Sequence, residues 1–448
     1  MNGDPVIVAG AGAGGLAAAL SAADSGREVV LVERSRTFRH GSNTAMSTSM
    51  VPGPGSRWQQ RLGIEDSPER FAADVMRKTH GTADPVLTTA LSQVGAPLVE
   101  WLADRCEVPL DLVDDFSYPG HSALRCHSVP DRAGRTLHAH LLAAAEADPR
   151  ITLVVGMELA DVTIAGDGVT GAVLRSPDGS TETAPTGAVV LAVNGFGAEP
   201  ALVRRYLPEI ADGTYHGGDG SRGDALRIGE RLGADLSYLD AFQGHGSLAV
   251  PHGTLVTWAA VMHGGVLVNS LGERFGDETV GYSEFGPIVV QQPGAIAWVV
   301  FDHRIDRLCR PFADYQDLLS AGAVREAPDI AALAALVGCP EPALARTLAD
   351  AEAARGGADV WGRTDFSEGL ATPYLAVRVT GALFHTQGGL TVDGHARVLR
   401  RGEPIRGLFA VGGAAAGISG RGCDGYLAGN GLLAALGLGY LAGRHLGE

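Results

Sequence analysis

Residues 5–33 narrow the possible folds more than any other stretch of the chain. Residues 5–9 (PVIVA) form a short apolar run of strand type, Gly10-Ala-Gly12-Ala-Gly-Gly15 follows, and residues 16–23 are an alanine- and leucine-rich run that suits a helix. Residues 28–32 are a second apolar run that ends in an acid, Glu33. The pattern is a βαβ unit. Gly10 permits the tight turn, Gly12 lets a pyrophosphate approach bare backbone, and Gly15 lets the helix pack close on the strand, while the helix N-terminus offers N–H groups to phosphate. Glu33 can accept from both hydroxyls of a ribose and would repel a 2′-phosphate. Three spaced glycines alone recur by chance, but the strand before them, the helix after them and the acid eighteen residues beyond Gly15 agree on dinucleotide binding. By itself the unit leaves FAD and NAD open.

At 448 residues the chain exceeds the size at which one core keeps growing, so two domains, or one large domain with an insertion, are expected. Hydrophobic residues make up 45% and charged residues 19%, which supplies a core and argues against disorder. Asp and Glu outnumber Lys and Arg by 51 to 35 with no long basic run, so no nucleic-acid partner is expected. Two uncharged stretches, 5–23 and 425–443, are broken by glycines, the second also by Asn430, and the first follows Asp4 rather than a basic segment. Neither reads as a membrane span or a signal peptide, and a soluble, cytoplasmic protein is the expectation. The five cysteines, Cys106, Cys126, Cys309, Cys339 and Cys423, are scattered without a CxxC, so no disulfide framework or metal site follows from them.

The loop after Glu33, Arg39-His-Gly-Ser-Asn-Thr44 and on to residue 54, is rich in Ser, Thr and Gly and is expected beside the nucleotide. Residues 66–106 read as helices, with Ser67-Pro68-Glu69 as a start signal and Leu87, Leu91, Val94, Leu98 and Leu102 at helical spacing. A helix over 136–147 precedes a strand at 151–155, alternating runs at 159–164 and 168–175, the turn Asp178-Gly179 and a strand at 188–193. A β-meander feeding back into a parallel sheet is predicted. Asn194-Gly195-Phe196-Gly197 then repeats the strand-to-glycine transition of the N-terminus. From about 241 to 383 the texture is less periodic and carries Gln243, His245, His252, Trp258, His263, Trp298, His303 and Trp361. The chain reads as a nucleotide-binding domain in two parts, 1–240 and 384–448, around an inserted substrate domain, 241–383, with a terminal helix from about Gly429 to Leu446.

Eight ordered blocks carry a resemblance over nearly the whole length: GAGAGG with Glu33, GSNTAMS at 41–47, Asn194-Gly-Phe-Gly197, GSRGDALRIG at 220–229, HGGVLVNSLGERFGDE at 263–278, FHTQGGL at 384–390, GLFAVGG at 407–413 and GYLAGNGL at 425–432. They resemble the flavoproteins that include fumarate reductase, 3-ketosteroid dehydrogenases and tricarballylate dehydrogenase. The resemblance implies an α/β fold, a discontinuous Rossmann-like FAD-binding domain with an inserted α+β capping domain, and a reaction that adds or removes hydrogen across a carbon–carbon bond. It implies FAD contacts at Gly10, Gly12, Gly15, Glu33, Arg34, Ser42, Asn43, Thr44, Ser47, Asn194, Gly195, Gly412, Gly429, Asn430 and Leu432. Some members attach FAD through the histidine of a Ser-His-Thr sequence; here that place reads Ser42-Asn43-Thr44, and an amide cannot form the bond, so FAD is expected to be non-covalent. Gly413 is a second departure, because relatives often carry a glutamate there.

The substrate positions divide the family further. Fumarate reductases place a proton-donating arginine where this chain has Tyr282, and a carboxylate-clamping arginine where it has Tyr426. Losing two buried bidentate partners disfavours a dicarboxylate. The tyrosines are similar to the ketosteroid and tricarballylate dehydrogenase branches, to which the chain is expected to stand closer. His245, Thr257 and His385 still match the fumarate pocket, and Trp258 replaces the acid beside that threonine. The expected catalytic set is therefore Tyr282, Tyr426, His385 and His245, with Thr257 and Trp258 binding substrate. Tyr282 is the acid/base group, and a phenol, with an ordinary pKa of about 10, serves better as donor than as base near neutrality. Tyr426 and the start of the terminal helix would stabilise an enolate oxygen. His252, His263 and His303 are assigned to structure, and Arg274 to an ion pair with Asp277 or Glu278 at a domain junction. The expected function is an FAD-dependent oxidoreductase acting on a small-molecule substrate at a carbon–carbon bond next to a carbonyl, in a ketone or enone that is steroid-like or polycyclic, with an unidentified electron acceptor or donor. The alternatives are a carboxylate-directed enoate reductase of fumarate type and a non-catalytic flavin-binding protein.

Overall fold

The strand Val6–Ala9 is buried at every residue, as a parallel strand covered on both faces must be. The computed structural model describes residues 4–447 apart from positions 116, 365 and 367, and it divides into two units. One comprises the residues up to Leu207, Gly217–Gln243 and those from His385 onward; the other comprises Pro208–His216 and Gly244–Phe384.

The first unit is organised by a nine-stranded sheet whose central order is Ile151–Val155, Val29–Glu33, Val6–Ala9, Val189–Leu191, Glu403–Ala410, Gly168–Arg175 and Glu158–Ala165. The middle of it is parallel: Ile7 lies opposite Val30 on one side and Val189 on the other. Glu158–Ala165, Gly168–Arg175 and Thr181–Pro185 pair antiparallel as a meander that leads into the parallel strand Val189–Leu191. Helix Pro85–Arg105 starts where Asp84 accepts from the Val86 and Leu87 N–H groups, with Pro85 at the first position, and buries Leu87, Leu91, Leu98 and Leu102.

The first helix, Ala13–Asp24, and the last, Asn430–His445, meet through small residues. A Cβ on Gly439 would come within 2.4 Å of the Gly14 carbonyl oxygen, and Ser21 Oγ donates to the Tyr440 carbonyl at 2.8 Å. Their backbones approach closely because nothing larger than hydrogen, methyl or hydroxymethyl intervenes.

The second unit is built on a six-stranded sheet in which Tyr374–Thr386 pairs with Thr214–Tyr215, Ala297–Asp302, Phe242–Ala249 and Arg325–Ala327, and Ala297–Asp302 pairs in turn with Val266–Asn269. The architecture is thus an α/β Rossmann-like domain with an inserted β-rich domain. Within the inserted unit Arg274 bonds Glu278 through Nε at 2.9 Å and Nη2 at 2.6 Å, and also reaches Asp359. Asp277 is not its partner: that carboxylate accepts from the Thr279 N–H and caps the short helix Glu278–Val280. No helix among the described residues is long and apolar enough to cross a membrane.

Candidate functional site

At the N-terminal turn, Gly10 has φ +106° and Gly15 has no room for a side chain, since a Cβ there would lie 1.8 Å from the Gly10 carbonyl oxygen. Glu33 ends its strand with both oxygens anchored: Oε2 accepts from the Ala11 N–H at 2.8 Å and Oε1 from the Ser35 N–H at 2.7 Å. A carboxylate has about four lone-pair sites, so capacity for ribose hydroxyls remains. The Ala13 N–H donates to Thr44 Oγ1 at 2.9 Å, which ties the serine- and threonine-rich loop to the helix start. Ser42 Oγ accepts from the Ala45 N–H, Ser47 Oγ donates to the Thr44 carbonyl, and Asn43 Oδ1 accepts from the Gly218 N–H at 2.6 Å. Arg34 bonds Asp224 at 2.8 Å and the Gly220 carbonyl, so its guanidinium organises the 220–224 turn beside the expected nucleotide residues.

Asn194 has φ +65°; its amide donates to Ser221 Oγ at 2.8 Å and accepts from the Gly195 N–H at 2.9 Å. That carboxamide accounts for Gly413. A Cβ at 413 would come within 2.4 Å of Asn194 Oδ1, so the glutamate expected from relatives has no space unless Asn194 moves. Gly412, with φ +59°, precedes it.

The terminal helix begins at Asn430 after Gly429, which has φ +86°. Asn430 is fully buried, yet neither its amide nitrogen nor its oxygen has a hydrogen-bond partner among the described residues. A buried amide left unpaired costs about 1–3 kcal/mol, and a ligand bonded there would recover it. Leu432, half-buried, is the third residue of the helix. The anchored Glu33, the close-packed glycine turn and the orphan Asn430 amide fit a flavin dinucleotide, the group those residues would hold.

His385, Tyr426 and Gly431 gather at the same helix start. The Gly431 N–H donates to the Tyr426 hydroxyl oxygen at 3.4 Å, and the His385 ring meets the Tyr426 ring edge to face at 6.0 Å. His385 Nδ1 lies 3.2 Å from the Thr386 carbonyl oxygen and 3.0 Å from the Gln387 amide nitrogen. Nε2 is 3.1 Å from the same amide nitrogen, and Ser419 Oγ donates to Gln387 Oε1 at 3.1 Å. Burial pushes His385 down to about 4 and the Tyr426 phenol upward.

In the inserted unit, His245 lies between two aromatic rings: Tyr282 stacks at 4.9 Å between centroids and Phe384 at 5.2 Å, with Trp258 edge-on at 5.7 Å. His245 Nδ1 lies 3.3 Å from the Ser247 backbone nitrogen and 3.1 Å from Ser247 Oγ, whose hydrogen goes to the Val256 carbonyl at 2.7 Å. Burial pushes His245 down to about 3, so it is neutral. Trp258 is 4% exposed, and its Nε1–H has no partner among the described residues. Thr257 Oγ1 accepts from the Ala259 N–H at 3.4 Å. The set offers several donors and no charge. Phe384 and Gln387 were missed by the sequence reading, although both lie in the FHTQGGL block that flanks His385.

A profile of the FAD binding domain family matches residues 5–432. NADH:fumarate oxidoreductase of Klebsiella pneumoniae (strain 342) is 28% identical over 93% of this chain, which spans 45% of that relative, about half its length. The probable fumarate reductase Ifc3 of Shewanella frigidimarina (strain NCIMB 400) is 27% identical over 93% of this chain and 70% of its own. The open conformation of a flavocytochrome c3 fumarate reductase superposes with a TM-score of 0.83 at 26% identity, covering 100% of this chain and 78% of that one. A 3-ketosteroid-Δ4-(5α)-dehydrogenase from Rhodococcus jostii RHA1 gives 0.77 at 24% identity, covering 99% and 96%. The expected closeness to the ketosteroid and tricarballylate dehydrogenases is therefore corrected: sequence and backbone place the chain with the fumarate reductases. Two tyrosines carried the earlier expectation, whereas the fumarate reductase likeness is spread over the whole chain.

Proposed function

The chain belongs to the FAD binding domain family, and from that premise we propose that it is an FAD-dependent oxidoreductase of carbon–carbon bonds of the fumarate reductase type that reduces the double bond of an enoate carrying a single carboxylate. The observation that carries the reading is the uncharged donor set around His245. The His245 ring is neutral and held between Tyr282 and Phe384, Trp258 presents an unclaimed indole N–H, and Thr257 adds a hydroxyl. Such donors suit one carboxylate or acyl oxygen. Two carboxylates would call for the guanidinium groups that Tyr282 and Tyr426 replace. The rings of Tyr282, Phe384 and Trp258 give the uncharged part of the substrate an aromatic surface.

Bound FAD supplies hydride chemistry at carbon. Gly10, Gly15, Glu33, Thr44, Asn194, Gly412 and Asn430 hold it without a covalent link, since Asn43 stands where an attaching histidine would be. Tyr282 delivers the proton to the neighbouring carbon. Stacking on His245 fixes the ring that carries it, and the reductive direction uses a phenol in its protonated form. Tyr426, with the Gly431 N–H beside its hydroxyl, stabilises negative charge on the substrate oxygen, and His385 orients Tyr426 from the edge.

The test is anaerobic reoxidation of the chemically reduced holoprotein with aryl-substituted propenoates, fumarate and cyclic enones. Rapid return of the oxidised flavin spectrum with the monocarboxylates is expected, with fumarate at least about tenfold slower, a factor equal to roughly 1.4 kcal/mol. Reoxidation by cyclic enones alone would move the substrate to ketones, and inertness toward the whole panel would favour a flavin-binding protein without turnover.

A further inference from the structure

A buried charge cluster in the nucleotide-binding unit converges on one backbone carbonyl. Arg125 is 1% exposed; it bonds Asp66 through Nε and Nη2, each at 2.9 Å, and bonds Asp74 through Nη1. The same Nη1 lies 3.3 Å from His121 Nδ1. A guanidinium only donates, so Nδ1 must present its lone pair and the single hydrogen of the neutral ring sits on Nε2. That nitrogen is 3.1 Å from the carbonyl oxygen of Ala428. Phe71 stacks on the imidazole with 8° between the planes, and Cys126 Sγ donates to the same carbonyl at 3.7 Å. Burial and the Arg125 charge keep His121 down at about 4.

Ala428 stands two residues after Tyr426 and directly before Gly429, the residue that starts the terminal helix. Gly429 is walled in as well, since a Cβ there would lie 2.6 Å from Pro52 Cδ. Buried ion pairs contribute little net stability compared with an apolar cluster of the same volume. What this one supplies is a defined tautomer: it aims a single imidazole hydrogen at a single carbonyl.

We propose that His121 is a positioning residue, whose Nε2–H, directed by the Arg125–Asp66–Asp74 cluster, clamps the Ala428 carbonyl and thereby sets the Tyr426 hydroxyl and the first turn of the terminal helix. The inference rests on the reading of Tyr426 as a group that acts on substrate. Its role is orientation, so the effect is expected in turnover and in the cofactor's environment rather than in substrate affinity.

Four variants of the FAD-loaded full chain test it: His121→Leu, His121→Gln, His121→Asn and Tyr426→Phe. Glutamine keeps an N–H near the place of Nε2, whereas asparagine is one methylene short. His121→Leu is expected to keep its FAD, lower kcat about tenfold, the weight of one oriented hydrogen bond, and leave KM within about twofold. Its flavin reduction potential should shift, and His121→Gln should restore both kcat and potential. Equal loss in the Leu and Gln variants would make His121 a packing residue and overturn the proposal. So would an unchanged kcat and potential in His121→Leu while Tyr426→Phe is impaired. Full activity in Tyr426→Phe would instead remove the role of Tyr426, and the proposal with it. Should His121→Leu fail to fold, His121→Asn takes its place against the same outcomes.

Discussion

His385 occupies the space that a side chain on Gly431 would need: a Cβ there would come within 2.6 Å of the imidazole Nε2 and 3.3 Å of the Tyr426 hydroxyl. Gly431→Ala should therefore push both rings out of place. We expect turnover to fall at least about tenfold while the thermal transition changes little, because overpacking at one methyl costs about 1–3 kcal/mol. Steady-state rates and a melting curve of the same preparation check it. Unchanged turnover would mean that neither ring is held where the reaction needs it.

Trp258→Phe keeps an aromatic wall and removes only the indole N–H. If that donor meets the substrate carboxylate, KM should rise about tenfold, the weight of one hydrogen bond to a charged group, with FAD content and melting behaviour preserved. A variant with native KM would show that the donor is idle.

Tyr282→Phe removes a hydroxyl and retains the ring stacked on His245. Loss of a positioned proton donor costs about 10²–10⁴ in rate. The variant should bind FAD and substrate as before, and reduction of the flavin in the absence of substrate should be unaffected. A kcat within a factor of two of the native value would assign the proton to another group.

Acid should destabilise the protein early. Burial holds His121, His127 and His385 at about 4 and His245 at about 3, all below the ordinary 6.5. In the unfolded chain these rings take up protons as pH falls through 6.5, while in the folded protein they do not. Their stabilising effect is thus complete above that pH and is lost as pH falls toward their folded values. Each ring contributes a slope of up to about 1.4 kcal/mol per pH unit. The Asp74 carboxylate behaves differently. Burial would raise it, but hydrogen bonds from Arg125 and Ser122 outweigh burial and hold it at about 2, so its contribution is fully present above 3.8. Urea midpoints measured between pH 7 and pH 5 should fall steadily, and a flat series would mean that these rings are charged in the native state.

What was legible in the sequence is what is local. The turn at Gly10, the close approach at Gly15 and the acid at Glu33 lie within 33 residues, and each is demanded by the geometry of one βαβ unit. The meander and the parallel strand that follows it could be read from alternation and turns. The stack of Tyr282 and Phe384 on His245 could not, because it joins positions up to 139 residues apart. The bond from His121 to Ala428 spans 307 residues and ends on a backbone oxygen, an atom every residue type has. Substituted positions misled in a different way. Tyr282 and Tyr426 argued for the dehydrogenase branches because they fall on substrate positions, but two side chains report what a pocket binds and say little about descent.

The seam of glycine and alanine between the helix Ala13–Asp24 and the helix Asn430–His445 fixes the order in which this protein can mature. The Ser21–Tyr440 contact across that seam joins positions 419 residues apart, so the phosphate-binding turn is synthesised long before the helix that backs it. A nascent chain therefore carries an uncovered apolar helix until residues 430–445 have emerged, and full-strength capture of the cofactor waits for them.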